Sequence, residues 1–172
     1  LVVVRSWYQP QLIKQFEFDE PVEYYAAHYP GYPLIIRAFD TVLPLPWAML
    51  IATLTFAVLA SLIFYELLRT LKIPQPLWIA ILFTLLPFRW LMLKSIGSAE
   101  PQFVFFTLFA FWAVLTQRYY LAGIAGALAQ ITTPPGILLA IAVCLWALDL
   151  TYRRWSRAHT KPLWKHIPWE LW

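Results

Sequence analysis

The chain has 172 residues, 61% of them hydrophobic and only 13% charged, with a mean hydropathy of +0.62 and a formal net charge of +4. A soluble domain of this length is nearer half apolar, with about a quarter of its residues charged. One water-soluble core cannot absorb this much apolar surface, so lipid is the natural solvent. The basic residues sit in short loops and one tail instead of a clustered basic face, which argues against a nucleic-acid partner. The single Cys144 excludes an internal disulfide and speaks against a zinc cluster.

In chain order, residues 1–46 form an external or luminal segment. Its first residues, Leu1 to Val4, read as the tail of an upstream helix. Four acids follow (Glu17, Asp19, Glu20, Glu23), among Tyr and Pro residues that suit a loop or interfacial helices. The transmembrane region covers 47–150. A first span runs from about Trp47 to Leu68, long enough at about 1.5 Å per residue to cross roughly 30 Å of hydrocarbon. Arg69, Lys72, Pro74 and Pro76 end it. A second span, about Leu77 to Leu93, is expected to kink at Pro87, where a backbone hydrogen bond is lost. The polar break Lys94 to Pro101 leads to a third span, about Gln102 to Thr116. Shorter apolar stretches follow from Tyr119 to Ile131 and from Gly136 to Leu150, divided by Thr132-Thr133-Pro134-Pro135. Residues 151–172 make a basic cytoplasmic loop or tail. The chain reads as a fragment whose C-terminal remainder is missing.

If the spans alternate, Arg69, Lys72, Arg118 and the basic tail share one side, which the positive-inside rule makes cytoplasmic. The acidic segment, the Ser98–Glu100 loop and the Thr132–Gly136 turn then converge on the outer face. Small residues between Ala122 and Ala129 suit close helix packing. The architecture expected is all-α: a polytopic membrane bundle of about five apolar segments.

Among groups that carry chemistry, the four outer acids form either a solvated face or the source of a general base. Glu100 is either a residue in the first turn of a helix capped by Ser98 or a site residue. Arg37, Arg89 and Lys94 run against the positive-inside bias and suit a phosphate-bearing lipid, with snorkelling to headgroups as the alternative. His28, His159 and His166 are scattered and form no metal-ligand spacing. The five glycines form no phosphate-binding loop.

Several stretches resemble GT-C class membrane glycosyltransferases, which take sugar from a polyprenyl or dolichyl phosphate. Tyr29-Pro30-Gly31-Tyr32-Pro33-Leu34-Ile35-Ile36-Arg37 is similar to the "FPLYPLLIR" stretch of PIG-V-type mannosyltransferases. Ser98-Ala99-Glu100-Pro101-Gln102-Phe103 is similar to their "YSEPLF" segment, and Arg118-Tyr119-Tyr120-Leu121-Ala122-Gly123 with Gly126-Ala127-Leu128-Ala129 to their "RRYLLAGLLGALASLTRPTGLLL" stretch, in matching order over about Phe18 to Leu139. Asp19-Glu20, with Tyr24-Tyr25-Ala26-Ala27, resembles the first outer loop of protein-mannosyltransferases and aminoarabinose transferases. The chain departs from the PIG-V pattern at Phe18, where that family has Trp, and at Thr133, where it has Arg.

The resemblance implies an inverting hexosyltransferase, mannose being one candidate sugar, in a multi-pass membrane location: the plasma membrane of a prokaryote or the endoplasmic reticulum of a eukaryote. It implies Asp19 as the catalytic base, with Glu20, Arg37, Arg89, Glu100 and Tyr32 binding substrate. The partners implied are the bilayer, a polyprenyl-phosphate-linked sugar and a glycan, lipid or protein acceptor. No cofactor is required by the pattern, although an outer carboxylate cluster could bind a divalent cation. A transporter or flippase fragment and a non-catalytic membrane scaffold are the alternative readings.

Overall fold

A computed structural model describes residues 2–15, 24, 28–85, 92 and 96–159. Among these the fold is all-α, with no strand. The helices are α1 (Val2–Ser6), α2 (Pro10–Ile13), α3 (Gly31–Asp40), α4 (Leu45–Thr70), α5 (Pro76–Leu85), α6 (Glu100–Leu115), α7 (Tyr119–Gln130) and α8 (Gly136–His159). The long helices pack in chain order: α4 on α5 and α6, α6 on α7, and α7 on α8, with α3 lying against α4.

Local chemistry sets the ends of these helices. Pro44 and Pro46 bracket the start of α4, where a missing N–H costs nothing. At its far end, Lys72 takes φ +56° and Ile73 N donates to Leu68 O, a left-handed closure, after which Pro74 and Pro76 bar continuation. The end of α6 repeats the device with Gln117 at φ +64° and Arg118 N bonded to Ala113 O. Glu100 and Pro101 open α6 as expected, but Ser98 does not cap it. The cap position is Ala99, and Ser98 Oγ is buried without a partner.

The expected boundaries of the first, third and fourth apolar segments hold to within about two residues. The fifth does not end near Leu150: α8 runs on to His159. No proline or glycine occurs before Pro162 to stop it, and Arg153 Nε bonds Asp149 Oδ2 at 2.7 Å, one helical turn away. Among the described residues, two helices are long and apolar enough to cross a membrane: α4, and α8 over Gly136–Arg153. Only 28% and 18% of those stretches are buried within the bundle, and α8 in particular leaves Ile137, Leu138, Ile141, Leu145 and Leu148 exposed. Helices α5 and α6 are apolar but shorter. Pro87, the expected kink in the second segment, lies outside the described residues.

The core between the long helices is built from alanine. Ala48, Ala52 and Ala60 of α4, Ala110 and Ala113 of α6, and Ala129 of α7 have no exposed surface, and Ala122 and Ala125 have almost none. Small side chains let the helix backbones approach, while Phe56, Phe106 and Val114 fill the remaining gaps. Where α5 meets α4, the Thr84 hydroxyl donates to Ser61 Oγ at 2.9 Å, which keeps both polar groups off the apolar surround.

The small residues of α7 divide by role. Ala122, Ala125 and Ala129 pack, but an added Cβ at Gly123 or Gly126 would meet nothing within 4 Å. Both lie inside a helix, where glycine costs about 0.5–1 kcal/mol relative to alanine. Gly123→Ala and Gly126→Ala should each raise stability by up to about 1 kcal/mol, read as a higher detergent-unfolding midpoint. A drop in either would mean that a partner helix occupies that face.

Candidate functional site

The site is a single cleft at the end of the bundle where α4, α6 and α8 begin. Gly31 anchors it. The Gly31 N–H donates to Ile131 O at 2.7 Å, joining the start of α3 to the turn after α7, and Gln102 Nε2 of α6 reaches Gly31 O at 3.4 Å. A Cβ on Gly31 would lie 2.7 Å from Ile131 O and 2.9 Å from Thr132 Oγ1, so only glycine permits this approach. One residue on, the Tyr32 and Thr53 hydroxyl oxygens lie 2.6 Å apart, and Thr53 Oγ1 is 3.4 Å from Ser98 O. Four chain segments are thereby drawn together: 28–36, the start of α4, 97–102 and 131–134.

Between them lies a cavity of about 750 Å³, within the range of small-molecule sites. Val2, Val3, Val4, Ile36 and Met49 form an apolar wall, and Tyr24, His28, Tyr29 and Tyr32 an aromatic and polar one. Gly97 and Ala99, and Thr132, Thr133 and Pro134, complete the lining. The lining residues that are described include no carboxylate, lysine or arginine. The triplet Val2–Val4 lies in the short helix α1, and all three side chains are buried.

The expected substrate-binding residues are only partly gathered. Tyr32 lines the cavity with its ring, but its hydroxyl is engaged by Thr53 and also donates to Met49 O at 3.1 Å. Burial, and to a lesser degree the negative charge of Glu100, push its phenol above the ordinary value, while the Thr53 bond opposes them. Glu100 therefore stands close to the cavity without lining it. Arg37 lies in the last turn of α3, exposed, with its guanidinium 5.0 Å over the Trp7 ring. It is not among the cavity residues. Trp7 and Tyr8 both take positive φ, +47° and +64°. The Tyr8 hydroxyl donates to His28 O at 2.6 Å, tying the N-terminal unit to the cavity rim. Asp19, Glu20 and Arg89, together with Glu17, Glu23 and Lys94, lie outside the described residues.

His28 and Thr133 are the residues whose place in the site the sequence did not reveal. His28 belongs to no metal spacing, and Thr133 drew notice only as a departure from a motif. The available signal was position: each adjoins a Pro-containing turn at the same end of the bundle. Among the described residues no cluster of three or more potential metal ligands occurs. Compared with protein-family models, curated proteins and solved structures, the chain matches none of them.

Proposed function

We propose that this protein is an integral membrane glycosyltransferase that moves a hexose from a polyprenyl-phosphate sugar to an acceptor at the external or luminal face. One observation carries the reading. Of the three stretches that resemble PIG-V-type enzymes, two contribute cavity-lining residues: Tyr29, Tyr32, Pro33 and Ile36 from one, and Ala99 from the other. The third contributes Thr132 to Pro134, so segments about 70 and 100 residues apart in sequence meet at one pocket. An apolar wall beside a hydroxyl-bearing one suits a ligand with a lipid tail and a sugar head.

The outward-facing apolar sides of α4 and α8 support lipid as the surround. With the intervening apolar helices completing a bundle of about five segments, the bundle is multi-pass. The basic residues Arg69, Lys72 and Arg118 then end the helices on the side away from the cavity, as the positive-inside rule requires of the cytoplasmic face.

In this reading Asp19, five residues before cavity-lining Tyr24, takes the proton of the acceptor hydroxyl. The acceptor oxygen attacks the anomeric carbon with inversion, and the bond to the polyprenyl phosphate breaks with its electron pair on the phosphate oxygen. Arg37, held over Trp7, and Arg89 offset that negative charge, as preorganised cations do. Glu20 and Glu100 hold sugar or acceptor hydroxyls.

The test is sugar transfer in membrane vesicles offered a panel of labelled polyprenyl-phosphate sugars. Transfer from one donor should fall by about 10²–10⁴-fold in Asp19→Asn, the usual contribution of a general base. Near-wild-type transfer at equal expression would remove Asp19 from the mechanism. No transfer from any donor by a folded protein would favour a transporter, if uptake is seen, or a scaffold.

A further inference from the structure

Helix α8 packs on α6 and α7 through the face that carries Leu139, Val143 and Trp146. The first two are buried in the main core, and the Trp146 ring lies 5.9 Å from that of Phe111. The opposite face carries Leu138, Ile141, Leu145, Leu148, Tyr152 and Trp155, each between 51% and 68% exposed. Their spacing runs 3-4-3-4-3, an unbroken seven-residue repeat along most of the helix.

Lipid alone does not call for that arrangement. Acyl chains accept apolar side chains over the whole exposed arc, as on α4, where the adjacent Val58 and Leu59 are exposed beside Leu54 and Leu62. On α8 the large residues stand in single file. The exposed positions beside them are small or polar: Ala142 and Asp149 on one flank, Cys144 and Thr151 on the other. Ile137, in the first turn, is the exception among the described residues. The polar flanking groups are satisfied on their own helix, Asp149 by Arg153 and Thr151 Oγ1 by Ala147 O at 2.7 Å, so the stripe has no unbalanced charge beside it. The stripe also outlasts the apolar stretch. That stretch ends at Arg153, yet Tyr152 and Trp155 continue the file, with ring centroids 6.4 Å apart. Headgroups suit such rings but do not fix their register with the leucines before them.

A seven-residue repeat keeps facing one partner only if the helices wind around each other with a left-handed twist. Two copies inserted in the same sense are related by an axis along the membrane normal. Their α8 helices then run parallel, and each residue of the stripe meets its own equivalent. With roughly 100 Å² offered by each of the six side chains, two copies together cover on the order of 1,000 Å², the size at which a specific interface begins. We propose that α8 is a homodimerisation helix, through which two copies of this chain pair as a parallel, left-handed coil along the stripe. None of the six residues lines the cavity, so the proposal does not rest on the sugar-transfer reading.

The test uses the full chain in phosphatidylcholine liposomes, with single cysteines placed in a Cys144→Ser background and oxidised by copper phenanthroline. A disulfide needs Cβ atoms about 4 Å apart, so Leu145→Cys, Leu148→Cys and Tyr152→Cys should cross-link about tenfold faster than Ala142→Cys on the flank or Val58→Cys on α4. Equal rates at all five positions would mean random collision and overturn the dimer. Single-molecule subunit counting in the same liposomes should find two copies, and one copy throughout would overturn it without recourse to any variant. Leu145→Ala combined with Leu148→Ala removes side chains that are exposed in the single chain, so the unfolding midpoint should hold while association weakens about tenfold or more. Unchanged association in that variant would assign the dimer to another face and overturn the α8 stripe.

Discussion

Gly31→Val should destabilise the protein by about 2–5 kcal/mol and abolish ligand binding in the cavity. The two terms are overpacking, about 1–3 kcal/mol, and loss of a buried hydrogen bond of similar size. They cannot be avoided together. The added Cβ collides with Ile131 O, the atom that accepts the Gly31 N–H at 2.7 Å, so relieving the clash means breaking the bond. Moving α3 away would also lengthen the already long contact between Gln102 Nε2 and Gly31 O. Tyr29, Tyr32 and Pro33 sit on one side of this contact and Thr132–Pro134 on the other, so the cavity opens when it fails. Detergent-unfolding midpoints of the wild type, Gly31→Ala and Gly31→Val would read the series. Equal midpoints across the three would show that the α3 start is not held by this contact.

Gly136→Val should be of comparable severity, by a different route. A Cβ there would fall 2.5 Å from Gln130 N and 2.7 Å from Ala129 C, which are backbone atoms of α7 that no rotamer change can move. The first turn of α8 would have to swing away, taking Leu139 and Val143 out of the core they share with Ala122, Ala125 and Ala129. Burying a Leu or Val side chain contributes about 1.5–3 kcal/mol, so the expected loss is about 3–5 kcal/mol with partial release of α8. Rising protease sensitivity in the 132–136 turn, beside intact α4–α6 packing, is the expected signature. Wild-type resistance would place the strain elsewhere. Gly136→Ala beside Gly123→Ala is the natural control pair, since the same added methyl collides at Gly136 and meets open space at Gly123.

The contrast between these glycines marks what could be foreseen. The small residues of 122–129 announced a closely packed helix, and the alanines do pack. Nothing in their spacing separated the glycines that touch a neighbour, Gly31 and Gly136, from Gly123 and Gly126, which do not. Spacing along one helix fixes which residues share a face; it carries no information on how near another backbone comes. Ser98 shows the same limit. Its position suited a helix cap, but the cap fell to Ala99 and the serine hydroxyl was buried at the joint between segments.

The amino-acid sequence by itself determined the class of structure. Apolar runs, the prolines that end them and the lack of polar alternation settle helices at nearly their observed positions, because backbone hydrogen bonding and solvent preference act locally. The same patterning placed the Ser98–Glu100 loop and the Thr132–Gly136 turn at one end of the bundle, where the cavity lies; the acidic segment expected beside them lies outside the described residues. What only the tertiary structure decided is which side chains there are free to act. Tyr32 was expected to bind substrate, yet its hydroxyl is held by Thr53, twenty-one residues away. Arg37 stacks on Trp7 and not on the cavity wall. His28, isolated in sequence, has its ring held against Tyr24 and its backbone carbonyl bonded by the Tyr8 hydroxyl. A side chain's availability depends on partners brought from distant segments, and that pairing is a property of the packed chain.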